Sequence, residues 1–138
     1  PLAWFFAANC VQTDHWDKRG QKGFIFTIGD ERFHENYSGH TLTSIMNSSE
    51  PSGSATAREL LAIAQQRWEV FHILPDMITD DSDIQWKEAL GERVANIPVS
   101  EIPKYATKMI VSLAKTEVSK STPIAEKKDG LDVDKKFL

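Results

Sequence analysis

Apolar and polar positions divide the chain into segments of two periods. Leu2 to about Asp17 is rich in Ala, Leu, Trp and Phe and apolar almost all round in its first two turns, which predicts a well-buried helix. Lys18, Arg19 and Gly20 supply its stop, since cations suit the terminal carbonyls and Gly suits the turn that follows. Gly23-Phe24-Ile25-Phe26-Thr27-Ile28-Gly29 is short, aromatic and β-branched with Gly on both sides, the pattern of a strand covered on both faces. Thr41 to Met46 reads as a short helix and Pro51-Ser52-Gly53-Ser54 as a loop. Thr56-Ala57-Arg58-Glu59 matches a capping box opening a helix to about Trp68, with Leu60, Leu61, Ile63, Ala64 and Trp68 buried. Val70-Phe71-His72-Ile73-Leu74 is a second buried strand, ended by Pro75.

The remainder continues the alternation. Thr79-Asp80-Asp81-Ser82-Asp83 is an acidic loop, with Ser82 and Gln85 expected to cap a short helix through Leu90 that Gly91 stops. Glu92 to Pro98 reads as a third strand. Ser100 is expected to cap the last helix, whose apolar positions Ile102, Tyr105, Ala106, Met109, Ile110, Leu113 and Ala114 step by threes and fours along one stripe. From Val118 the chain is charge-rich and interrupted by Pro123 and Gly130, which predicts a domain over 1–117 and a mobile charged tail over 118–138. Strands alternating with helices predict an α/β fold, a Rossmann-like parallel sheet with helices on both faces. Three strands make a thin sheet with an exposed apolar edge, and the chain starts at Pro1 inside an apolar segment. Both features suggest the later half of a larger α/β domain.

Composition narrows the function classes. The 138 residues carry a net charge of −4 with 41% hydrophobic residues, which fits one globular domain and gives no electrostatic pull toward nucleic acid or anionic lipid. Lys127, Lys128, Lys135 and Lys136 are interleaved with acids, against a nucleic-acid tail. No apolar run approaches the ~20 residues that cross a bilayer, and a membrane partner is not expected. The single Cys10 excludes an intrachain disulfide and is expected to be a small buried hydrophobe; a reducing, cytoplasmic setting fits. There is no phosphate-binding Gly loop and no nucleophile elbow, and Ser48, Ser49, Ser52 and Ser54 read as a hydrophilic loop.

In an open parallel sheet, ligands bind beyond the carboxyl ends of the strands. Asp30 stands there, after Phe26-Thr27-Ile28-Gly29, where a carboxylate suits a hard cation such as Mg2+; a side-chain cap of the turn is the competing reading. Glu31 and His34 lie beside it as rim residues. His15, His34, His40 and His72 have no compact ligand spacing, and His72, alternating with Val70 and Leu74, reads as a core histidine. Asp80, Asp81 and Asp83 lack the Gly and Glu of a calcium loop and read as solvated acids before a helix.

The segment Lys18-Arg19-Gly20-Gln21-Lys22-Gly23-Phe24-Ile25-Phe26-Thr27-Ile28-Gly29-Asp30-Glu31 resembles the fourth-strand region of von Willebrand factor A (VWA) domains of a bacterial and phage type. Leu2-Ala3-Trp4-Phe5-Phe6-Ala7-Ala8 is similar to the preceding helix, and Trp68 to Leu74, Trp86 to Gly91 and the last helix are similar to the closing part of that domain, so the resemblance covers roughly residues 1 to 117. It implies a metal-ion-dependent adhesion site in which Asp30 matches the Asp after the fourth strand. The family's Asp-x-Ser-x-Ser loop and its Thr are absent from these residues, so a divalent ion needs donors from outside this segment. The resemblance further implies metal-assisted protein binding, with a MoxR-type AAA+ ATPase as a partner, rather than catalysis. The alternative from another class is a metal-dependent hydrolase on a related doubly wound fold, using Asp30, Glu31 and His34.

Overall fold

The computed structural model describes residues 1–46, 53–76 and 81–120. The expected first helix is divided in two, α1 over Leu2–Cys10 and α2 over Asp14–Arg19. Val11 and Thr13 are both extended, a state β-branched residues favour, and Asp14 and Asp17 in the first turn of α2 suit its positive end. Gly20, in the left-handed region at φ 63°, ends α2: its N–H and that of Gln21 donate to the carbonyls of Trp16 and His15. Burial of α1 is less complete than its composition predicts. Trp4 and Phe5 are buried, but Phe6 is 48% exposed and Cys10 is exposed, so Cys10 is not a core residue. An all-round apolar helix buries only the sides its neighbours cover, and here Trp4 and Phe5 enter two separate clusters.

Three strands, β1 (Gly23–Ile28), β4 (Trp68–Pro75) and β5 (Val94–Ile97), form a parallel sheet in the order β1-β4-β5. Between β1 and β4 the chain makes a small antiparallel ribbon, β2 (Asn36–Tyr37) with β3 (Ala55–Thr56), and two helices, α3 (Gly39–Met46) and α4 (Ala57–Arg67). Of the expected loop at Pro51, Pro51 and Ser52 lie outside the described residues, while Gly53 and Ser54 have no regular structure. The capping box of α4 is present: Glu59 N–H donates to Thr56 Oγ1 at 3.2 Å, and Thr56 N–H donates to Glu59 Oε2 at 2.7 Å. These bonds hold the Glu59 carboxyl below its usual range. Trp68 belongs to the strand rather than to α4, and Ile63 is exposed.

β4 is followed by α5 (Asp81–Leu90), which already includes Ser82; that side chain is fully buried inside the helix rather than capping it. A 3-10 turn over Gly91–Arg93, entered with Gly91 at φ 59°, leads into β5. Pro98 then opens a second 3-10 turn, Val99–Glu101, so Ser100 lies inside this turn instead of capping α6 (Ile102–Lys120). The last helix runs past residue 118 and takes the first residues of the expected tail; the rest of the tail lies outside the described residues. Along α6, Ile102, Tyr105, Ala106, Met109 and Leu113 are half-buried while Ile110 and Ala114 are exposed, a narrower stripe than the spacing predicts.

Successive parallel strands added in one direction require crossovers of one hand, which puts their helices on one face. The main core agrees. Val70 and Leu74 of β4 pack with Leu61 and Ala64 of α4, Trp86 and Leu90 of α5, and Trp4 of α1. A smaller cluster of Phe5, Leu42 and Leu60 joins α1, α3 and α4 beside the ribbon. On the opposite face Phe26 stacks on Phe71 at 4.9 Å, and Arg93 lies over the Phe71 ring while pairing with Glu69. β4 is the central strand, buried from Val70 to Leu74. β1, expected to be covered on both faces, is an edge strand of the described sheet, half-buried along its length with Ile28 55% exposed.

Candidate functional site at the carboxyl edge

The ladder of β1 continues one residue past the strand, where Gly29 N–H donates to Ile73 O at 3.1 Å. Beyond it the chain leaves the sheet with Asp30, Glu31 and His34 all exposed. The loop is nevertheless fixed at two points. Trp86 Nε1 donates to the Glu31 carbonyl at 2.9 Å, and Phe33 packs edge-on against Trp86 at 5.1 Å and beside Trp4 at 6.4 Å. Asp30 is therefore an exposed carboxylate held between a residue bonded into the sheet and one bonded to α5.

Asp76 closes the neighbouring strand. It has φ 61°, a conformation that Asp tolerates better than most side chains, and its N–H donates to Ile97 O at 3.0 Å. With Ile28 in register with Ile73, Asp30 and Asp76 leave adjacent strands at the same edge. The acidic loop contributes less than its composition suggests. Asp81 and Asp83 begin α5, Asp83 pairs with Lys87 at 2.7 Å, and Asp80 lies outside the described residues.

Behind this edge lies His72, only 4% exposed, as expected of a core histidine. Its ring stacks on Trp86 with centroids 3.4 Å apart, and its Nδ1 lies 2.8 Å from Thr27 Oγ1. The Thr27 hydroxyl donates to Phe71 O at 3.1 Å. Among the described residues Nε2 has no partner within bonding geometry. Burial pushes the His72 pKa down to about 4, and the Gly29 backbone opposes this. The ring is neutral at pH 7 and shut off from solvent, which suits support of the loop rather than proton transfer to a substrate.

Among the described residues, no three of His, Cys, Asp and Glu come together as a metal-binding group. His15 and His40 are exposed on separate helices. Asp30 offers one carboxylate at the edge, short of the several oxygens a hard cation takes, so the residues present do not by themselves fit a Mg2+ site. The sequence pattern located Asp30 at a strand end. It did not reveal Trp86 as the residue that fixes the loop, because an indole N–H finding a backbone carbonyl across the fold leaves no mark in local spacing. No described helix is long and apolar enough to cross a membrane. No protein family, no curated protein and no solved structure matches this chain.

Proposed function

We propose that the chain is the later part of a VWA-like domain that recognises a partner protein through the carboxyl edge of its sheet. In this reading Asp30 is one donor to a Mg2+ or similar divalent ion. The other donors come from residues outside this segment, and the ion's open position accepts a carboxylate of the partner. The partner class is a MoxR-type AAA+ ATPase and the setting cytoplasmic. The observation that carries the reading is Asp30 itself: an exposed acid at the end of a parallel strand, on a loop held by the Trp86–Glu31 bond. The strand order β1-β4-β5, sequential and all parallel, is compatible with half of a doubly wound sheet.

The hydrolase alternative has no comparable support. Glu31 and His34 are exposed on the same loop and, among the described residues, join no group of ligands, and His72 is buried and neutral. The test is binding of the complete protein to a purified MoxR-type ATPase in Mg2+ and in EDTA. Binding that needs the cation, and that Asp30→Ala removes with the circular dichroism unchanged, is the expected result. No binding, or binding undiminished in EDTA, contradicts it.

A further inference from the structure

Between Gly23 and Gly29 the chain is apolar but for Thr27. In the parallel register Thr27 lies beside His72 of β4, on the face from which Ile25 and Val70 reach the main core. A valine would have nearly the same shape and the same preference for a strand, with no hydroxyl to satisfy. The hydroxyl finds its partners on β4. It donates to Phe71 O at 3.1 Å and lies 2.8 Å from His72 Nδ1.

The second contact acts on a ring. Rotation of an imidazole about its bond to Cβ is soft, and a bond at Nδ1 selects one angle. At the angle observed, the His72 ring lies flat against Trp86, 3.4 Å between centroids, and makes one wall of the slot that holds the indole. Phe33 and Trp4 meet the same indole edge-on at 5.1 and 5.8 Å. So held, Trp86 Nε1 donates to Glu31 O at 2.9 Å. On the other side of Asp30, Gly29 N–H is bonded to Ile73 O, next to His72.

We propose that Thr27 is the positioning residue of the Asp30 loop: its hydroxyl fixes the His72 ring, the ring fixes the Trp86 indole, and the indole holds the carbonyl beside Asp30. The influence of Thr27 on Asp30 passes through β4 and α5 rather than along the chain between them. The inference rests on the reading above for the use of Asp30, and it adds which buried side chain sets where that acid is presented.

The test compares valine and serine at position 27 of the full chain. Exchange of the Trp86 indole N–H, followed by NMR, reports the bond to Glu31, and the amides of Val70 and Ile73 report the central strand. Thr27→Val keeps the shape and loses the bonds, and indole exchange is expected to speed up about fivefold while both amides keep their wild-type rates. Thr27→Ser keeps the hydroxyl, and its indole stays within about twofold of wild type. A part limited to strand preference and packing gives the opposite order, with Val harmless and Ser harmful. In His72→Phe, where Nδ1 is gone, adding Thr27→Val leaves the indole rate unchanged. Indole exchange in Thr27→Val equal to wild type, acceleration of the indole and the central amides together, serine as fast as valine, or a full effect of Thr27→Val in His72→Phe overturns the proposal. These rates need no partner. Failure of the wild type to bind a MoxR-type ATPase removes the reading of Asp30 above, whereas an indole unmoved by Thr27→Val removes this inference.

Discussion

His72 lies nearly flat against Trp86, with ring centroids 3.4 Å apart and planes 12° from parallel. Trp86 in turn holds the carbonyl of Glu31, and His72 is tied to Thr27 of β1. This stack joins the central strand, the edge strand, α5 and the loop that carries Asp30. The loop's exposed acids are thus displayed from a buried aromatic base in which Trp4 and Phe33 also take part.

Trp86→Phe keeps the ring in the cluster but removes the N–H to Glu31. The expected loss is about 1 kcal/mol by urea unfolding, together with faster amide hydrogen exchange over residues 31–34. Trp86→Ala removes the ring from the main core and costs roughly 3–5 kcal/mol. Equal exchange over the loop in Trp86→Phe and wild type would show that the indole bond does not order it.

Stability depends on pH through His72. Its folded pKa, about 4, lies below the ordinary value of 6.5, so the unfolded chain takes up a proton first as pH falls. The His72 contribution is complete above pH 6.5, declines between 6.5 and about 4, and falls no further below that. The loss from this group over the window is about 3 kcal/mol. His72→Gln flattens this part of the profile in urea unfolding at several pH values. An equally steep fall in the variant would assign the dependence to other groups.

The Thr56–Glu59 capping box sets where α4 begins, directly after the β2–β3 ribbon. Thr56→Ala costs about 1 kcal/mol, seen as a lower midpoint in thermal or urea unfolding, and Thr56→Ser retains most of the stability. Identical midpoints for Ala and wild type would show that the reciprocal bonds contribute nothing net.

The boundary signals that were legible in the sequence share one property: they are local. The capping box works through residues three apart, and Leu60, Leu61 and Ala64 follow from helical spacing into the core. β4 and its buried His72 follow from an apolar run with flanking breaks. The misreadings arise where neighbours far along the chain decide. Gly23 to Ile28 has the composition of a strand covered on both faces, yet it is only half-buried along its length, because cover comes from elements distant in the chain. Cys10 sits in an apolar helix but on an exposed side. Ser82 and Ser100 have capping chemistry, but Ser82 is buried within α5, and Pro98 and the 3-10 turn pre-empt Ser100. At the site, Asp30 was legible from its place after a strand. Asp76, with its left-handed backbone, and the Trp86 anchor were not, since neither follows from spacing.

The most direct measurement is the Asp30→Ala comparison of cation-dependent binding between the complete protein and a MoxR-type ATPase. The account predicts association in Mg2+ that EDTA reverses and the variant lacks while its folded spectrum stays that of the wild type. Association of the variant as tight as that of the wild type in Mg2+ would contradict it.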